Sequence, residues 1–141
     1  MYKKQLLRVG NSKKSKAITG LAIGLLMVGS IAGSVFAGNI KDTDYDYNST
    51  KYGFATDTRQ KEDYTSSYIW HRGNVNAHVE VRSNGTNQTA KQGGYYHVMV
   101  GSSCYLDNYV KENGYSNCYL YITPATGVSS RMHGKWSPDS I

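Results

Sequence analysis

Two cysteines, four histidines and a set of tyrosines are the residues of this chain that could do chemistry. Cys104 and Cys118 lack the C-x-x-C spacing and the basic neighbour of a redox or metal pair. In an exported chain the default is a Cys104–Cys118 disulfide closing a 15-residue loop, worth roughly 3 kcal/mol. Two free thiols are the alternative, and a Cys–His nucleophile would need one of them as thiolate. Zinc needs three or four convergent ligands, and His71, His78, His97 and His133 are read as ordinary strand residues. His78-x-Glu80 matches half of a deaminase signature, and the Pro-Cys-x-x-Cys half is missing. No G-x-S-x-G elbow is present for a serine hydrolase. Gly101-Ser102-Ser103 is read as a helix cap, not an anion site. Asp42, Asp44, Asp46 and Asn48 alternate, but an EF-hand requires Gly and Glu where Tyr47 and Gly53 stand. The residues predict no catalytic centre, no metal, no cofactor and no enzyme.

The exposed rings are the more informative group. Tyr95, Tyr119 and Tyr121 are expected on outer strand faces, where they can stack on sugars or sit at a membrane interface. Cross-strand packing is the blander use of such rings. Arg131 and Lys135, beside Trp136 on the last strand, form the best local basic patch. These six residues are the expected binding set.

Charge locates the protein. The formal net charge is +6 from sixteen bases and ten acids, and six of the bases precede residue 17. From Gly38 onward bases and acids are equal in number, so nucleic acid is not an expected partner. Residues 17–36 are uncharged and end in Val35-Phe36-Ala37, giving a basic region, an apolar region and a small-residue cleavage site. Residues 1–37 are read as a signal peptide cut after Ala37, with signal peptidase and the general export machinery as partners and secretion as the outcome. If uncleaved, the segment is long enough to be a membrane anchor.

The remaining 104 residues contain only fourteen Leu, Ile, Val and Phe, and twelve tyrosines with Trp70 and Trp136 supply the missing apolar area. Residues 38–57 are expected as a polar arm or edge strand, with Tyr45 and Tyr47 opposite the aspartates. Thr65 to His71 reads as a strand. Ala77, Val79 and Val81 alternate with His78, Glu80 and Arg82 in a half-buried strand, and Asn84-Gly85 offers a hairpin turn. A return strand over 86–91 follows, then one with Tyr96, Val98 and Val100 on one face. Tyr105, Leu106, Tyr109 and Val110 recur at helical spacing, predicting a short helix over 103–112 capped by Ser102 or Ser103 and by Gly114. Strands over 118–122 and 129–136 close the chain, with Leu120 and Ile122, then Met132, Gly134 and Trp136, on their inner faces. The expected fold is mainly β: a small antiparallel β-sandwich over 58–141 with one short helix.

At KEDYTSSYIW (61–70), LDNYVKENGYSNCYLYI (106–122) and HGKWSPDS (133–140) the chain resembles small uncharacterised secreted proteins of Gram-positive bacteria ending in Trp-Ser-Pro-Asp-Ser, and it is distantly similar to lactococcin-like bacteriocins. The resemblance implies an exported β-sandwich acting on the cell envelope of competitors and brings no catalytic residue. The sequence therefore predicts a secreted, non-enzymatic, bacteriocin-like effector that binds an envelope component. The alternatives are a surface-associated glycan- or protein-binding module and, last, a small secreted hydrolase.

Overall fold

The computed structural model describes residues 38–141; the leader reading over 1–37 lies outside them. Ten strands follow in order: β1 (Thr43–Ser49), β2 (Phe54–Ala55), β3 (Arg59–Gln60), β4 (Ser67–His71), β5 (Ala77–Ser83), β6 (Thr86–Asn87), β7 (Tyr96–Val98), β8 (Ser103–Leu106), β9 (Asn117–Pro124) and β10 (Ser130–Ser137). They make two antiparallel sheets. One runs β1-β10-β4-β8. In the other, β9 and β5 pair centrally, β2 and β3 line the free edge of β9, and β6 and β7 line that of β5. Residues 38–57 thus supply an edge strand, with β1 pairing along its whole length with β10.

Alternation drives the assembly. Val79, Val81, Cys118, Leu120 and Ile122 of one sheet share a buried cluster with Tyr45, Ile69, Leu106, Met132 and Trp136 of the other. Each fully buried aliphatic side chain contributes roughly 1.5–3 kcal/mol, so two sheets together bury what neither could alone. The Asn84-Gly85 turn closes the β5–β6 hairpin with both residues at positive φ (48° and 77°), as a two-residue turn requires.

The expected helix over 103–112 is absent, and among the described residues no helix is found. The segment is extended over β8 and then turns. Its true period is two: Leu106, Asn108 and Val110 are buried while Tyr105, Asp107 and Tyr109 are exposed. The polar Asn108 disguised the alternation. It is satisfied inside by donating to Leu106 O (2.9 Å) and Ser67 Oγ (3.3 Å). The return strand expected over 86–91 stops at Asn87 because the chain then crosses to the other sheet. Ala90 N donates to Asp107 O (2.9 Å) and Tyr109 N to Gln88 O (2.8 Å), joining the two sheets at that edge.

The expected disulfide is also absent. Cys104 lies on β8 opposite Ile69, Cys118 lies on β9 opposite Arg59, and both thiols are free. Their sequence separation suited a bridge, but placement in opposite sheets keeps them apart.

Two buried polar devices tie distant segments together instead. Lys61 is 1% exposed and Asp139 fully buried. Lys61 Nζ donates to Asp139 Oδ1 (2.9 Å), Pro138 O (2.7 Å) and Thr65 O (2.5 Å). Asp139 Oδ2 accepts from Asn39 N (2.6 Å) and Glu62 N (2.9 Å). The carboxyl sits below its ordinary value near 3.8: burial works to raise it, and the Glu62 amide, the Lys61 ammonium and the Asn39 amide outweigh burial. The Trp-Ser-Pro-Asp-Ser ending and the Lys61–Ser67 loop, two of the stretches behind the sequence resemblance, are therefore one clasp.

The second device spans three strands. Tyr45, Gly134 and His71 are in register across β1, β10 and β4. Tyr45 reaches over Gly134, and its hydroxyl bonds His71 Nδ1 at 2.8 Å. His71 Nε2 bonds Val75 O at 2.7 Å. A carbonyl only accepts, so Nε2 carries the proton, Nδ1 accepts, and the Tyr45 hydroxyl donates. Burial lowers the His71 pKa and raises that of Tyr45, keeping the pair neutral. A Cβ on Gly134 would collide with Trp70 O and lie 2.8 Å from the Tyr45 hydroxyl.

Gly134→Ala should cost at least about 3 kcal/mol of unfolding free energy in urea, since backbone and ring would both have to move. Asp139→Asn should cost about 3–5 kcal/mol, leaving a buried ammonium without its counter-charge. Because the folded-state pKa of Asp139 is depressed, its contribution is present above the ordinary value and lost as pH falls through the folded one. Urea midpoints measured below roughly pH 4 should therefore drop more steeply in the wild type than in Asp139→Asn.

Candidate binding face

The six expected binding residues separate into three places. Tyr119 and Tyr121 lie on the outer face of β9, and Tyr95 lies just before β7 beside the outer face of β5. Arg131 and Lys135 lie on the outer face of β10, in the opposite sheet. Trp136 is 1% exposed, a core residue covered by the Arg59 guanidinium 5.3 Å from its ring centre. Its expected role as a binding ring is corrected: the alternation that makes Met132 and Gly134 internal makes Trp136 internal too.

The basic patch is already partnered. Arg131 donates to both carboxylate oxygens of Asp46 (2.9 and 2.6 Å), and Lys135 lies 3.6 Å from Asp44. Asp46 is held below the usual carboxylate range by its hydrogen bond to Arg131. The alternating aspartates of β1 thus face alternating bases of β10 across an exposed sheet surface. Trp70, unplaced by sequence, lies on this same sheet at 36% exposure with Arg72 4.9 Å from its ring.

The outer face of the six-stranded sheet is different. Register sets Glu80 opposite Tyr121 and Arg82 opposite Tyr119. Arg82 Nε donates to Glu80 Oε2 (2.7 Å), and the guanidinium stacks 4.3 Å from the centre of the Tyr121 ring. Tyr121 Oη donates to Tyr52 O (2.7 Å), which fixes the ring's tilt. At the other end of the face, His78 is opposite His97, with ring centres 5.3 Å apart, and Tyr95 packs 4.4 Å from His78. His78 is lowered in pKa by burial and then by His97.

Beside Tyr119 the sheet ends in a cleft of about 450 Å³ lined by Tyr115, Tyr119, Asn84, Asn117, Ser116 and Thr58. The cleft is built by neighbouring elements: Asn84 from the hairpin turn, Thr58 from the approach to β3, Tyr115 and Ser116 from the turn into β9, and Asn117 and Tyr119 from β9 itself. Lys61 N donates to Ser116 O (3.0 Å), so the clasp residue also secures the cleft wall. Of the residues that line the cleft, the sequence singles out Tyr119 and gives no signal for Tyr115, Asn117 or Asn84. The Asn84-Gly85 signal read as a turn and carried no hint that the turn flanks a cleft. Arg82 was legible as an outward residue on an alternating strand, but its stacking on Tyr121 depends on register.

Both thiols are favoured in the protonated form. Burial pushes Cys104 up, and it pushes Cys118 up to about 11. Among the described residues no group of three or more His, Cys, Asp or Glu is arranged to hold a metal. A thiol-specific reagent should count two free thiols in the unfolded protein and at most the half-buried Cys104 in the native one. The intact mass should be that of the fully reduced chain.

No curated protein and no solved structure matches the chain. A family defined by sequence does match, over residues 33–140, the stretch that holds both sheets, the clasp and the cleft; the chain belongs to that family, described as a protein of unknown function (DUF2712).

Proposed function

We propose that this chain is an exported, non-enzymatic β-sandwich protein that binds a neutral glycan of a cell envelope through the outer face of its six-stranded sheet. The observation that carries the reading is a cleft whose lining brings Tyr119 and the core-packed Tyr115 together with Asn84, Asn117, Ser116 and Thr58. Aromatic faces stack on the apolar faces of sugar rings. Amides offer a donor and an acceptor together, which is what vicinal hydroxyls require. The cleft lining carries no charge, and residues 38–141 carry no net charge, so recognition rests on local complementarity.

The wider surface fits the same use. Glu80 and Arg82 present a paired acceptor and donor beside Tyr121, and the Tyr121 ring is already oriented by its hydrogen bond to Tyr52 O and by Arg82, which lowers the entropy cost of binding. Support for a non-enzymatic role comes from how the reactive groups are used. Lys61 and Asp139 hold the clasp, His71 is tied to Tyr45, and both thiols are held protonated. Export follows from the leader, with cleavage after Ala37. A bacteriocin-like effector and an adhesive module share this binding step, and the geometry bears on that step.

Residues 38–141 incubated with purified Gram-positive cell walls should co-sediment. Tyr119→Ala and Asn117→Ala should each weaken binding by about tenfold, the scale of one stacked ring or one lost pair of hydrogen bonds. Arg131→Ala, on the opposite sheet, should bind as the wild type does. Equal binding by wild type and Tyr119→Ala, or loss on Arg131→Ala, would overturn the reading. A growth-inhibition assay on the strains whose walls bind then separates killing from adhesion.

A further inference from the structure

The glycan reading leaves one cluster on the same face unused. His78 and His97 stand directly opposite each other on β5 and β7, on strands whose register is fixed by the pairs on either side. Their ring centres are 5.3 Å apart and the rings are inclined at 59°. Two imidazoles bound to one tetrahedral ion at ordinary metal–nitrogen distances have ring centres about 5 Å apart. The spacing of the ring centres therefore matches that of two imidazoles on one ion without strand movement, and the His97 nitrogen must exchange its Asn76 contact for the ion.

We propose that His78 and His97 form a two-imidazole site for a divalent transition-metal ion of borderline softness, such as Zn²⁺ or Ni²⁺. Imidazole nitrogen suits such ions and suits Mg²⁺ and Ca²⁺ poorly. Three details of the surroundings favour it. His97 is exposed and His78 half-buried, so an ion can reach both. Tyr95 packs against the His78 ring at 4.4 Å and limits its rotamers. The Asn76 amide is oriented by Val100 N, which donates to its Oδ1 (3.0 Å), so its Nδ2 points at His97 Nε2 from 3.4 Å. A ring nitrogen facing a donor presents its lone pair, the form a metal binds, and so long a contact is readily displaced.

No third His, Cys, Asp or Glu joins the pair among the described residues. Glu80, two positions along β5, is held by Arg82. The remaining coordination positions therefore fall to water or to donor atoms of a bound molecule. Such a site holds its ion in exchange, not as a structural staple.

The test is titration of residues 38–141, which contain both sheets and their shared core, with Zn²⁺ and separately with Ni²⁺. Calorimetry gives affinity and stoichiometry, and NMR of the imidazole C–H signals identifies the ligands. One ion per chain should bind with a dissociation constant well below roughly 1 mM, the range of a single free imidazole, and the His78 and His97 signals should respond together. His97→Asn and His78→Asn should each weaken binding by about tenfold or more while circular dichroism stays unchanged, and His133→Asn should leave it intact. Saturation only above 1 mM, unaltered affinity in both substituted proteins, or loss in His133→Asn would overturn the site. Cell-wall binding does not enter this measurement, so it stands or falls apart from the glycan reading.

Discussion

A lysine ammonium taken out of water needs an oxygen for each of its protons, and Lys61 finds three within 3 Å: Thr65 O, Pro138 O and the Asp139 carboxylate. The rest of the molecule is arranged around that requirement. Two of the three oxygens belong to the chain's last residues, so the C-terminal segment is pinned to the loop before β4. Asp139 in turn collects the Asn39 and Glu62 amides, which anchors the approach to β1. The lysine's own amide holds Ser116, at the start of β9. One buried ion pair thus ties together both ends of the described chain, the first sheet and the cleft of the second.

The two outer surfaces differ. The four-stranded sheet exposes alternating acids on β1 against alternating bases on β10, a surface whose charges are mutually satisfied. The six-stranded sheet exposes tyrosines, a histidine pair and one Arg–Glu pair, with a polar cleft at its end. Rings, amides and lone pairs retain contacts to offer there. With few aliphatics among the described residues, the protein uses its tyrosines twice, as core filler at Tyr45 and as surface at Tyr119 and Tyr121.

Strands whose inner faces are aliphatic were readable from sequence. The strands around Val79–Val81, Leu120–Ile122 and Met132–Trp136 follow their period-two patterns closely. The segment at 103–112 was misread as helix because one of its inward positions is Asn108, whose suitability for the core depends on partners at Ser67 and Leu106. The clasp was illegible for the same reason: Lys61 and Asp139 look like surface charges until they are found within 3 Å of each other. The disulfide failed because loop length says nothing about which sheet each cysteine joins. Trp136 was placed on an inner face by its period yet counted among binding residues by its type, and burial decides for the period. Tyr119 and Tyr121 do lie on an outer face, but the asparagines that line the cleft with Tyr119 come from the hairpin turn (Asn84) and the start of β9 (Asn117), which no local pattern brings together.

The most direct test of the central claim is a map of backbone amide shifts on adding soluble wall-glycan fragments to isotope-labelled 38–141. The account predicts shifts at Tyr115, Asn117, Tyr119, Tyr121 and Asn84, with β1 and β10 unmoved. Shifts centred on Asp46, Arg131 and Lys135, with the cleft residues silent, would contradict it.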